Sequence, residues 1–520
     1  MAALADVVLR GLGLCGQALA LGGVLFIIVV LRPQPWSAAH ALASRRAWAL
    51  VAVGATSAAA AHAVGLALLL LKLEGDGPGH VRLLASTAFA QVSGVNILAS
   101  LALAATALVV RRRRRIGGVW AVLLVAMAAS VVSAGWTGHG AARLHHRPAL
   151  TTLDALHQLG ATAWIGGLAH LLVATRGPGS STAAVLRRFS GLSLTAVAVL
   201  VAAGLGLTLA YVDGIPALLA TAYGLMILTK ILILGGLLLL GAANFRVVRR
   251  VADPLAEAPH RLRRLVEVEL GLGITVLFVA GSLTSLPPAI DVTADRPTLE
   301  EVSARFTPRW PRLTSPPIDQ LPIDNPEAPR TDADRAWSEY NHHVAGLCVL
   351  AMGALAILHV SGRAPWARQW PLVLLGLAGF MLLRNDPGAW PLGPLGFWES
   401  MAVPSVLQHR AFVLLVVMLA VFEWMVRAHR IRSPRAALVF PLLCVVGGGL
   451  LLTHSHTSPD LRSEFLIEVA HAPLGLLAIV IGWARWLELR LATPDDRVPS
   501  RVWASALAVF GILLLLYRER

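Results

Sequence analysis

The sequence predicts an all-α integral membrane protein, a polytopic helical bundle of about 14 transmembrane helices arranged in two halves. Three observations predict it. Of 520 residues, 56% are hydrophobic and only 14% charged, where a soluble domain carries roughly 25% charged residues. The apolar residues come in blocks of about 20, the length that crosses a bilayer as a helix. The basic residues fall in short runs between those blocks, on alternate sides. Topology accounts for the net charge of +15, so no nucleic-acid partner is expected; the expected partner is the lipid bilayer.

The blocks of the first half lie near 12–31, 47–71, 88–110, 117–134, 152–174, 190–212, 224–243 and 265–285, giving an eight-helix half over 1–285. The first is long enough to span and lacks a small-residue cleavage site, so no signal peptide is expected. Residues 286–340 are polar and proline-rich and read as a linker without a long helix of its own. Six more blocks lie near 341–360, 367–383, 405–426, 436–453, 465–485 and 500–517, forming a second half over 341–520. The 367–383 block is short, and Asn385 to Pro404 reads as a re-entrant stretch.

The positive-inside rule orients this map. Loops after odd-numbered blocks hold 27 of the 44 basic residues, against 16 on the other side, with Lys230 inside a helix. Both termini and the linker are therefore expected to be periplasmic, in a bacterial inner membrane. On that topology twelve of the 17 histidines lie at or near the outer face. Histidine does not follow the rule for Lys and Arg, so the asymmetry calls for a metal or proton function.

Two clusters stand out. The first is His139, His145 and His146, followed by Asp154 and His157, which are three apart and near one helical face. His62 in the second helix is the next ligand inward. The second is His454 and His456, followed by Glu464, Glu468 and His471, also at helical spacing. His342, His343 and His409 begin other helices on the same side. Any one interfacial histidine can instead simply hydrogen-bond a carbonyl or headgroup. Met401 is the best-placed thioether. Cys15, Cys348 and Cys444 are widely spaced core residues that form neither a disulfide framework nor a thiolate pair. Lys230, inside the seventh helix, either pairs with a carboxylate such as Asp213 or snorkels. No phosphate-binding loop or hydrolase triad is present, and no enzymatic activity is expected.

Residues 186–288 resemble the copper resistance protein D (CopD) family. The resemblance rests on Arg188-Phe189-Ser190, Tyr223-Gly224 with Lys230 following, Ala243-Asn244-Phe245-Arg246, Arg264-Leu265-Val266-Glu267-Val268-Glu269 and the Pro287-Pro288 stop. Asp154-Ala155-Leu156-His157 and Trp164-Ile165-Gly166-Gly167-Leu168 fit upstream. The second half is similar to the six-helix extension of longer members, through His454-Ser455-His456 and Arg485-Trp486-Leu487-Glu488-Leu489-Arg490. The resemblance implies copper handling at the inner membrane, with copper ion moving from periplasm to cytoplasm. It also implies a periplasmic partner of the copper resistance protein C type. Imidazole suits copper in either oxidation state. Two other readings stand beside it. One is a b-type haem or quinone electron carrier, with axial ligands drawn from His343, His409 and His471. The other is a factor delivering copper to an oxidase.

Overall fold

In the computed structural model the described residues are 2–35, 37–73, 79–112, 118–176, 182–250, 258–294, 296–317, 320–321, 331–453, 461–491 and 497–519. Among them there is no strand. Thirteen helices are long and apolar enough to cross a membrane. Arg147 to Ala174, one of the about 14 crossings expected from sequence, is one helical run interrupted by a π-turn and is not among these thirteen. The chain divides into two compact units, Met1–Arg296 and Pro297–Arg520.

Unit 1 contains α1 (Ala2–Phe26), α2 (Ala38–Leu73), α3 (Gly79–Ser86), α4 (Ala88–Arg112), α5 (Val119–Trp136), α6 (His139–Ala142), α7 (Arg147–Ala161), α8 (Gly167–Ala174), α9 (Thr182–Tyr211), α10 (Ile215–Leu219), α11 (Ala222–Arg250) and α12 (Ala258–Leu283). Helix α1 is its axis, packed against α2, α8, α12 and the π-turn between α7 and α8. That packing needs glycine. A Cβ on Gly22 would come within 2.0 Å of the Thr162 carbonyl oxygen, and one on Gly166 within 1.9 Å of that of Ala18. Without a strong hydrophobic force between helices in lipid, such small-residue crossings supply the packing. Polar side chains add to it. Asn96 on α4 donates to Ser133 Oγ on α5 at 3.1 Å, and Ser100 donates to Asn96 Oδ1 at 3.3 Å. Each such bond contributes about 0.6 kcal/mol. The large exposed side chains, Leu98, Val125, Leu209 and Leu239 among them, face the lipid.

Unit 2 contains α13 (Leu299–Ala304), α14 (Asp332–Val360), α15 (Val373–Arg384), α16 (Phe397–Ala402), α17 (Pro404–Arg427), α18 (Val439–Thr453), α19 (Leu461–Arg490) and α20 (Val498–Leu515). Helix α14 begins nine residues before the 341 boundary read from hydropathy. Its start is fixed by a capping box in which Thr331 and Asp334 satisfy each other's backbone N–H. The short 367–383 block is a 3₁₀ turn, Pro365–Leu372, running into α15. The stretch after it consists of turns and the short α16. The core holds Trp370, Phe440 and Trp503, with the Arg427 guanidinium 4.6 Å from the Trp370 ring and 5.2 Å from that of Trp503. Arg427 is neutralised by Glu423 at 2.7 Å, one turn earlier on the same helix.

Candidate functional site

A cavity of about 520 Å³ lies in unit 1, towards the end where α1 begins. Asp6, Arg10 and Gln17 of α1, His62 of α2, Ser93 of α4, and Asp154 and Gln158 of α7 line it with the 137–138 loop. Asp154 and Gln158 are four apart and share one face of α7. The helix is set up by Pro148 in its first turn, behind His146 at φ +58°. The loop presses against the carboxylate: a Cβ on Gly138 would sit 2.5 Å from Asp154 Oδ2. Arg10 closes the end of the cavity, bound to Asp6 at 2.8 Å and Thr284 at 3.2 Å.

The structure brings His62 and Asp154, 92 positions apart in sequence, to one cavity. It sends His157 elsewhere. Its Nδ1–H donates to the Leu200 carbonyl of α9 at 3.0 Å, so two residues near one helical face serve different neighbours. Lys230 lies within electrostatic reach of Asp154 and His157. The carboxylate offered for it from sequence, Asp213, is instead bound to Arg296 at 3.1 Å.

His139 leaves the loop and enters an aromatic cluster, 6.1 Å from the Tyr211 ring and 5.8 Å from that of Tyr223. Burial holds its imidazole below the usual histidine range, opposed by its contact with the Leu283 carbonyl at 3.5 Å. It is therefore neutral at physiological pH and keeps a lone pair. Arg143 beside it makes a two-pronged ion pair with Asp291, at 2.9 and 2.8 Å. His145 and His146 are exposed.

In unit 2, His342 stacks on Tyr517 with centroids 3.9 Å apart, and His471 lies 5.8 Å from His342. His342 donates Nδ1–H to the Ser338 carbonyl at 2.9 Å, and His471 donates its own to Ile467 at 2.7 Å. A carbonyl only accepts, so in the neutral rings the lone pair is on Nε2, the tautomer that carbonyl bonds impose on metal-binding histidines. The adjacent His343 is a structural tie. Its Nδ1 accepts from Arg312 N–H at 2.7 Å, its Nε2 lies 3.0 Å from the Tyr517 carbonyl, and Arg518 reaches that same nitrogen at 2.8 Å. A haem-ligand pair that includes His343 finds no open nitrogen on it. His409 is bound to Asp386 at 2.7 Å, Glu468 lies within electrostatic reach of Glu464, and Met401 is in α16. His454 and His456 lie outside the described residues. Among the described residues no three His, Cys, Asp or Glu side chains are grouped to hold a metal ion.

Two residue sets escaped the sequence reading. One is Tyr517 and Glu519, where Glu519 accepts from Ser338 at 2.5 Å and from Tyr517 Oη at 2.8 Å. The other is Glu269 of α12, buried between Trp164 and Asn244. Its signal was a carboxylate well inside an apolar block.

Residues 183–283, which span α9 to α12, match the family model described as CopD, copper resistance protein D. A curated relative, "Copper transport protein CutJ" of Bacillus subtilis (strain 168), is 30% identical over 218 residues. That is 40% of this chain and 39% of the relative, so the likeness spans well under half of either. No solved structure matches. The matched segment contains Tyr211 and Tyr223, which pack against His139, Lys230, within electrostatic reach of Asp154, and Asn244 and Glu269. The chain is a polytopic α-helical membrane protein in which residues 183–283 are similar to the copper resistance protein D family.

Proposed function

We propose that this protein carries copper across the bacterial inner membrane, from periplasm to cytoplasm, as a transporter rather than an enzyme. The cavity of unit 1 is the entry site. The observation that carries the reading is the convergence of His62 and Asp154 on one cavity, in a chain whose segment 183–283 matches the copper resistance protein D model and brings Lys230 within electrostatic reach of Asp154. An imidazole and a carboxylate bind copper, while the nearby Lys230 offsets part of the carboxylate's charge and keeps the binding weak enough for release. In this reading both termini are periplasmic. The exposed His145 and His146 receive the metal from a partner of the copper resistance protein C type and pass it by way of His139. His157 is a station on the α9 side. In unit 2, His342 and His471, with His454, His456 and Glu468, form a second outer site.

The test is copper accumulation in cells producing His62→Ala, Asp154→Asn or Lys230→Ala at equal membrane abundance. Loss of accumulation in the first two supports the reading. Parental accumulation in both sinks it.

A further inference from the structure

Glu269 lies eight residues from Arg261 and fourteen from Leu283 along α12, about 12 Å and 21 Å from the ends of that membrane segment. It is 4% exposed. Trp164 Nε1 donates to one oxygen at 2.9 Å and Asn244 Nδ2 to the other at 2.5 Å. Both donors are neutral. Among the described side chains, the titratable ones on the helices packed against α12 are Asp6, Arg10 and Cys15 on α1, His170 on α8, and Tyr223, Lys230 and Arg246 on α11. Arg261, Arg263, Arg264 and Glu267 lie on α12 itself. None of them forms an ion pair with Glu269 among the described residues. An unpaired carboxylate at that depth is costly, and two neutral hydrogen bonds do not cancel its charge.

A second observation points to what cancels it. Asn244 is 8% exposed, and its Oδ1 has no hydrogen-bond partner. An amide beside a carboxylate needs only its N–H. Turned by half a rotation, the same amide presents Oδ1 as the acceptor for a carboxylic O–H. The pair is thus built for two states of Glu269, with and without a proton.

We propose that Glu269 is a mid-membrane proton-binding site whose proton is exchanged for copper as the metal moves through unit 1. This rests on the copper reading of the cavity. In the exchange the Glu269 O–H bond breaks, the proton leaves to water, and a carboxylate remains, held by Trp164 and Asn244. No electron is transferred. The driving force is electrostatic. Asp154 and Trp164 are ten residues apart, about 15 Å along the helix. A cation held at Asp154, on the same helical run as the Trp164 that binds Glu269, lowers the proton affinity of Glu269. Deeper entry of the metal increases the effect. In this proposal Glu269 holds its proton when the path is empty and releases it when the metal passes.

Two measurements test this. Infrared difference spectra of the reconstituted protein, taken on adding Cu(I), should show loss of a protonated-carboxyl carbonyl band that shifts in D₂O and is missing from Glu269→Gln. A parent spectrum without that band, or a Glu269→Gln spectrum that keeps it, overturns the proton site. In proteoliposomes loaded with a pH dye, parental copper uptake should be matched by proton movement in the opposite direction. Glu269→Gln should slow uptake at least about tenfold, a cost of about 1.4 kcal/mol, while copper binding at the cavity is kept. Parental uptake and proton flux in Glu269→Gln overturn the coupling. A parent that binds and moves no copper defeats the transport reading instead and leaves the copper-free titration of the same infrared band to decide whether Glu269 holds a proton.

Discussion

Gly138→Ala separates a contribution to the site from a contribution to the fold. Gly138 has φ −84° and ψ 170°, a backbone that alanine adopts freely. The added methyl would meet Asp154 Oδ2 at 2.5 Å, against about 3.4 Å for an ordinary contact, so the carboxylate must retreat by about 0.9 Å. It is the end of a rotatable side chain, and a rotation of about 30° away from its well costs about 0.5–1.5 kcal/mol. That energy is lost from metal binding, a drop of roughly 2- to 12-fold in affinity. The fold gives way little, because no backbone atom is struck. Gly135→Ala, whose Cβ would lie 3.7 Å from the Thr151 oxygen, is the matched control. Copper affinity of purified protein by competition with a chelator, together with thermal unfolding in detergent, provides the readout. Equal copper affinity in the two variants would refute a role for the loop in placing Asp154.

Two further outcomes are expected in unit 2. Glu301 caps α13 and is held down to about 2, first by the Thr298 backbone N–H and then by Arg462. Its contribution to stability is therefore complete above about 4.5, is lost as pH falls towards about 2, and disappears in Glu301→Gln; cysteine accessibility at Ser303 between pH 5 and 3 measures it. Glu423→Ala leaves the Arg427 charge buried without its partner and should destabilise unit 2 by about 3–5 kcal/mol, whereas the double variant Glu423→Leu/Arg427→Met should recover most of that in thermal unfolding; a double variant as unstable as the single one would refute the pairing.

The membrane class and the order of crossings were legible because hydropathy and the placement of arginine act over whole segments. The site was only half legible. Helical spacing put Asp154 and His157 near one face, but spacing does not say which neighbour each part of that face meets, and here one meets a cavity and the other α9. His342 and His343 were read together because they adjoin. Successive helical residues point about 100° apart, and one ring meets Tyr517 and His471 while the other anchors Arg312 and Arg518. Pairing across helices was invisible too: Lys230 lies within electrostatic reach of Asp154, while Asp213 is bound to Arg296. The Thr331–Asp334 capping box, by contrast, was present in the sequence and outranks hydropathy as the marker of where α14 begins.

Helix α1 is the most enclosed of the candidate spans, yet it is synthesised before every helix it touches. Helix α12, one of its main partners, begins at Ala258, about 230 residues after α1 ends at Phe26. At about 5–20 residues per second, α1 waits roughly 10–50 s in lipid with Gln17 and its glycine notches uncovered. During that interval its faces are open to the wrong partners. The order of biogenesis therefore predicts that a membrane insertase or chaperone holds α1 until α12 arrives, and that mutations at Gly22 act on assembly yield more than on the melting temperature of molecules that have already assembled.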